Sequence, residues 1–152
     1  MTGPARIVRD IVAPHATVFA ALSSVEGMEA WLAPHRYSVF DLVADICEGG
    51  SYRAAIGDEG NREIVTGDYI EITPPHRLRI SWCWPDTDPA DVSLIDIDLL
   101  QVGAVTRVAV SHGGCRSDGQ RQSRVRAWTS CLDKLAAWTE CAPGQGNVVI
   151  RS

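Results

Sequence analysis

His112 is the residue of this chain with the clearest chemical potential, because it closes the run Val108-Ala109-Val110-Ser111-His112 ahead of Gly113-Gly114. Side chains alternate across a strand, so residues 108, 110 and 112 share one face and the imidazole points inward with two valines. A pocket imidazole can move a proton, bond a ligand carbonyl or anion, or titrate near neutrality. It can equally bond a backbone carbonyl where the strand ends. No carboxylate or nucleophile stands beside it in sequence to complete a catalytic set.

The aromatic residues form the second group. Trp82 and Trp84 fall on one face of an alternating run, and Trp128 falls on the apolar side of a helical one. With Tyr52, Trp31 and Phe19 they can line a pocket that recognises a flat ligand by area and stacking, or they can simply fill a core. If the protein is an enzyme, His112 and Tyr69 are its candidate proton-transfer groups.

Other chemistries find less support. His112 and Cys115 can offer two metal ligands, but a zinc site needs about three or four, and His15, His35 and His76 each adjoin a proline at an element boundary. No metal or cofactor is expected. His112-Gly113-Gly114 is not joined by a Gly-x-Ser-x-Gly nucleophile elbow, and neither glycine pair has phosphate-loop spacing. Asp96 and Asp98 share a strand face, yet Ile95, Ile97 and Leu99 need the interior, so the carboxylates face water. Arg116, Arg121, Arg124 and Arg126 surround a helix start, where an anion can bind or a solvated face can form. Cys47, Cys83, Cys115, Cys131 and Cys141 contain no CxxC pair and read as separate reduced thiols.

The elements that must position these groups follow from periodicity. Residues 6–13 give a strand stopped by Pro14, and two short helices follow, with apolar stripes at Val18, Phe19 and Leu22 and at Met28, Trp31 and Leu32. Gly27 loosens their junction. The period then changes to two: strands over 38–47 and 51–56 around Glu48-Gly49-Gly50, an extended 62–73 ended by Pro74-Pro75, and 77–84. A loop over 85–91 precedes strands at 92–102 and 106–112. From Gln120 the spacing becomes helical for about 20 residues, with Val125, Trp128, Leu132 and Leu135 on one side and Cys141-Ala142-Pro143-Gly144 as the stop. Leu78, Ile80, Ile95, Ile97, Val108 and Val110 join those helix residues as the expected core. Val148-Val149-Ile150 can pair with an edge strand or a neighbouring chain.

The predicted class is α+β, a curved antiparallel sheet of six or seven strands around one long C-terminal helix. Such a sheet cannot close its own core, so the helix must cover the concave face and any remaining space is a pocket. A length of 152 residues with 45% hydrophobic content suits one domain, 1–152, with its core at about 6–140. The net charge of -5 gives no basic field for nucleic acid. No apolar run nears the roughly 20 residues of a membrane span, and the N-terminus lacks a signal-peptide pattern. The expectation is a cytoplasmic protein.

Several short segments in order carry a resemblance: Ala13-Pro14, Val18-Phe19-Ala20-Ala21-Leu22, Trp31, Gly49-Gly50 before Tyr52-Arg53, Gly67-Asp68-Tyr69-Ile70-Glu71-Ile72, Pro74-Pro75-His76-Arg77-Leu78, Trp82, Thr106-Arg107 and His112-Gly113. Over about residues 6–140 the chain resembles the activator of heat-shock protein 90 ATPase homologue group of the START-like (SRPBCC) superfamily. The resemblance implies the helix-grip fold, with an apolar cavity between sheet and C-terminal helix, and dimers in some members. Members commonly carry an arginine or similar polar residue just before the double glycine, where this chain has Cys47-Glu48.

The expected function is binding of a hydrophobic or amphipathic small molecule, with Tyr52, Trp82, Trp84, His112 and Trp128 at the site and a homodimer as an accompanying expectation. Two alternatives stand beside it. One is a cyclase- or hydratase-type enzyme using His112 or Tyr69; the other is a protein-interaction module regulating a chaperone or another partner.

Overall fold

The computed structural model describes residues 3–85 and 92–140. Strand β1 (Ala5–Ile11) leads into helices α1 (His15–Leu22) and α2 (Val25–Trp31). Then come β2 (Ser38–Ala44), β3 (Ser51–Gly57), β4 (Arg62–Thr73), β5 (Arg77–Trp82), β6 (Ser93–Val102), β7 (Val105–His112) and α3 (Asp118–Glu140). The strands form one seven-stranded sheet in the order β1-β7-β6-β5-β4-β3-β2, antiparallel throughout. β1 pairs with the last strand, so α1 and α2 carry the chain from one sheet edge to the other. The residues from Cys141 on, Val148-Val149-Ile150 among them, and most of the expected 85–91 loop lie outside the described residues.

Period-two sequence explains which face is covered. Leu78 and Ile80 of β5 oppose Ile97 and Ile95 of β6, and Ile97 and Leu99 oppose Val110 and Val108 of β7, all buried. Arg79, Asp96 and Asp98, which alternate with these residues on β5 and β6, point outward. Arg77 reaches Asp98 at 2.8 Å and Asp96 at 2.9 Å, and Arg79 reaches Asp96 at 2.9 Å, as expected for carboxylates on the wet face. Such exposed pairs contribute roughly 0.2–1 kcal/mol each, so burial on the other face decides the orientation of the sheet.

Helix α3 supplies the matching surface. Trp128, Cys131, Leu132, Leu135, Ala136 and Thr139 recur at spacings of three and four, and all are buried. Val125, expected in the core, is only half-buried. Thr106 Oγ1 donates to the Ala13 carbonyl at 2.7 Å, and the His15 amide donates to Gln101 Oε1 at 2.7 Å, which fixes the start of α1 against β6 and β7. Among the described residues, no helix is long and apolar enough to cross a membrane.

Three local departures from the periodic reading have physical causes. β2 ends at Ala44 because the chain turns tightly there: Gly50 donates to the Cys47 carbonyl at 2.8 Å and Gly49 takes φ +88°, open to glycine at little cost. β5 ends at Trp82, and Cys83 makes only an isolated bridge to Thr66, so Trp84 lies beyond the strand. The third is Gly27, which serves close packing rather than looseness. A Cβ there would lie 2.0 Å from the Ala21 carbonyl oxygen, while Trp31 Nε1 donates to that same oxygen at 3.0 Å.

Two substitutions check this packing by chemical unfolding. Leu132→Ala is expected to cost about 2–5 kcal/mol, since the side chain is fully buried; a loss well under 1 kcal/mol would mean that the helix presents a different face. Gly27→Ala improves helix propensity by about 1 kcal/mol, yet is expected to destabilise by about 1–3 kcal/mol, because the methyl group would displace α1 backbone. Net stabilisation would contradict the close contact.

Candidate functional site

β7 delivers His112 to the inner face, opposite Ala5 of β1 and Ile95 of β6. The ring is 5% exposed and bonded at both nitrogens. Trp128 Nε1 lies 3.1 Å from Nδ1, and Ser93 Oγ lies 2.8 Å from Nε2. An indole N–H only donates, so Nδ1 must accept and the imidazole proton belongs on Nε2. Nε2–H then donates to Ser93 Oγ, whose hydroxyl donates onward to the Trp82 carbonyl at 3.3 Å. The result is a directed relay from helix to sheet: Trp128, His112, Ser93, Trp82.

This arrangement holds the ring neutral. Burial lowers the His112 pKa to about 3, with the nearby Arg124 guanidinium adding to the effect. Neither nitrogen retains a lone pair for proton abstraction. The rings of Trp82 and Trp128 stand edge-on to the imidazole at 6.4 and 6.3 Å, and Trp31 stacks on the back of Trp128 at 6.0 Å.

Beside the relay lies a cavity of about 620 Å³, within the range of pockets that enclose small organic ligands. Its inner wall is Trp82, Trp84, His112 and Trp128; α3 adds Gln120, Ser123, Arg124, Ala127 and Cys131. The segment after α2 contributes Leu32, Pro34, Arg36 and Tyr37, and the β3–β4 region contributes Ile56, Gly57, Asp58, Asn61 and Glu63. The segment after α2 is clamped to α3. Lys134 Nζ donates to the Ala33 and Tyr37 carbonyls at 2.6 and 3.1 Å, and the His35 amide donates to Ser130 Oγ at 2.5 Å. Asp58 Oδ1 accepts from the Gly60 and Asn61 amides at 3.0 and 2.9 Å, ordering the opposite rim.

Four of the five expected binding residues, Trp82, Trp84, His112 and Trp128, therefore meet in one wall. Tyr52 stands behind it: it is buried, its hydroxyl donates to the Ser81 carbonyl at 2.6 Å, and its ring backs Trp82 at 6.5 Å. Tyr69, the second candidate for proton transfer, is buried as well. Its hydroxyl meets Met28 Sδ at 3.2 Å, and burial pushes its pKa up to about 12. Phe19 and Trp31 belong to the core. The Cys131 thiol, pushed up to about 12 by burial, is no nucleophile near neutrality. Among the described residues no group of three or more His, Cys, Asp or Glu side chains could hold a metal ion.

Periodicity did not single out the polar lining. The four arginines at the start of α3 do not converge: Arg121 pairs with Asp118 at 2.9 Å, Arg126 is exposed, and only Arg124 lines the cavity. A sequence signal existed, since Arg124 precedes Trp128 by four residues and so shares its helix face. Arg36, Asp58 and Asn61 stand on connecting segments, and their convergence depends on tertiary closure.

Residues 12–140 match the family model described as Activator of Hsp90 ATPase homolog 1-like protein. No curated protein matches the chain. Solved structures share the fold at low identity. A protein from Chromobacterium violaceum superposes with a TM-score of 0.83 at 22% identity, over 92% of this chain and 99% of its own. The AHSA1 protein from Silicibacter pomeroyi gives 0.74 at 24%, over 88% and 95%. DynU16, a protein of the dynemicin biosynthetic locus, gives 0.75 at 19%, with this chain covered to 93% but only 48% of DynU16 matched.

The relay makes a pH prediction. With a folded pKa of about 3 against 6.5 for the free group, the unfolded chain binds a proton at His112 that the folded protein refuses. The stability this group contributes is intact above pH 6.5 and is lost as pH falls toward 3, at up to about 1.4 kcal/mol per pH unit. Urea unfolding of the protein and of His112→Gln at pH 7.5 and 5 should show the protein losing about 2 kcal/mol more than the variant. Equal losses would mean that His112 is not held neutral.

Proposed function

The chain belongs to the Activator of Hsp90 ATPase homolog 1-like family, and from that premise we propose that it binds a hydrophobic or amphipathic small molecule in the cavity between the sheet and α3. The observation that carries this reading is the open space of about 620 Å³ bounded by three indoles, beside a polar relay whose own hydrogen bonds are already satisfied. Aromatic faces supply contact area and offset stacking to a flat apolar body. The clamped segment after α2 keeps the opposite wall in place, so little ordering cost falls on the ligand.

Proton-transfer catalysis is less well supported by the same geometry. His112 has both nitrogens engaged, and Tyr69 is packed on Met28 away from the cavity. A role as a protein-interaction module rests on the family description alone, and no docking surface on the described residues argues for a particular partner.

The neutral fluorophore N-phenyl-1-naphthylamine tests the binding reading. It is expected to bind with one-to-one stoichiometry and quench tryptophan emission. Ala127→Phe, which pushes a ring into the cavity from a half-buried helix position, should weaken binding about tenfold or more, or about 1.4 kcal/mol, while leaving the circular dichroism unchanged. Non-saturating uptake, or binding indifferent to Ala127→Phe, would refute the cavity as the site.

A further inference from the structure

Arg124 lines the cavity beside its indole wall, and among the described residues it has no carboxylate partner. Its Nη1 donates to the Gly113 carbonyl at 2.6 Å and to Cys115 Sγ at 3.4 Å. Those bonds fix the guanidinium where β7 hands over to α3. Among the described residues neither Nε–H nor Nη2 has a hydrogen-bonded partner, and no carboxylate lies in salt-bridge range of it. Arg77, Arg79, Arg107 and Arg121 are all paired to acids. A half-buried guanidinium with a planar edge of unused donors is suited to an anionic oxygen pair, which it receives through two parallel hydrogen bonds.

Among the described residues Arg124 is the cation on the α3 wall; Arg36, the other guanidinium of the lining, is exposed on the segment after α2, over the Tyr37 ring. His112, on the inner wall, is engaged as a neutral ring by Trp128 and Ser93. Asp58 and Glu63 line the far rim and oppose a more highly charged ligand. A monoanion therefore fits better than a phosphate dianion. The lining thus has Arg124 on α3, indoles along the inner wall, and Asp58 and Glu63 in the β3–β4 region with Arg36 on the segment after α2.

Resting on the binding reading above, we propose that the ligand is an aromatic or alicyclic carboxylic acid, its carboxylate on Arg124 and its body against Trp82 and Trp128. The expected preference for the anion is about tenfold or more, because a charge-assisted bidentate pair in a half-buried site exceeds a neutral hydrogen bond.

Isothermal titration with 2-naphthoate, naphthalene-2-carboxamide and 2-naphthyl phosphate tests this at neutral pH. The protein should bind naphthoate about tenfold tighter than the carboxamide and no weaker than the phosphate. Arg124→Gln should bring naphthoate down to the carboxamide's affinity and leave the carboxamide within about twofold. Arg126→Gln makes the same change of net charge on the exposed side of α3 and should keep the preference. If Arg124→Gln does not fold, Arg124→Lys, which retains the charge but not the planar fork, should keep part of the preference. Equal binding of naphthoate and carboxamide by the protein itself overturns the proposal and leaves the cavity reading standing. A preference retained by Arg124→Gln, or lost equally in Arg126→Gln, overturns the role of Arg124. Phosphate bound about tenfold tighter than naphthoate overturns the carboxylate assignment. If none of the three binds while N-phenyl-1-naphthylamine does, the acid proposal fails alone; if that neutral probe fails too, the cavity reading falls with it.

Discussion

The hydrogen bond from the Trp128 indole to His112 marks where α3 stops lying on the sheet and begins to stand away from it. C-terminal to this point Leu132, Leu135 and Ala136 are fully packed into the core. N-terminal to it, Ala127, Arg124, Ser123 and Gln120 face open space. A buried donor left without an acceptor costs about 1–3 kcal/mol, so the indole holds the imidazole and the helix holds its distance. Because the indole can only donate, the direction of every later bond follows, through Ser93 to the Trp82 carbonyl. The same relay that leaves His112 without a free lone pair therefore defines the floor of the cavity.

Polar residues are otherwise kept off the inner face or used as fasteners. The ion pairs of Arg77 and Arg79 with Asp96 and Asp98 lie outside, where the charges lose little of their hydration. Thr106 and Ser81 are buried but spend their hydroxyls on the Ala13 carbonyl and the Asp68 amide. The cavity is different in kind: polar groups from α3, the segment after α2 and the β3–β4 region line it together with three indoles. A clamped wall facing a tethered helix gives a preformed container, which suits binding better than a chemistry requiring free acid–base groups.

The sheet was legible in the sequence because its alternation is nearly unbroken. Ile95, Ile97 and Leu99 against Asp96 and Asp98 set both the strand and its facing, and the valines before His112 place the ring inward. α3 was equally clear from spacing, and the family resemblance agrees with the seven-stranded antiparallel sheet and its long C-terminal helix. What alternation cannot tell is which part of an inner face lies under the helix and which lies under empty space. Tyr52 and Trp82 both face inward by period, yet one is core and the other wall. Trp84 falls beyond its strand because pairing, not composition, ends β5 at Trp82. Gly27 read as a loose joint, but its meaning depends on the Ala21 carbonyl six residues earlier in the chain. Arg124 was hidden among three other arginines, although its four-residue spacing from Trp128 marked the face.

The five tryptophans provide internal reporters for the central claim that the space beside the relay is a binding site. The indole N–H resonances in a 15N-labelled sample, titrated with N-phenyl-1-naphthylamine, test it most directly. The signals of Trp82, Trp84 and Trp128 are expected to shift together and saturate at one equivalent, with Trp31, bonded to the Ala21 carbonyl, moving less. A response confined to Trp138, which is 46% exposed, or shifts that never saturate, would contradict it.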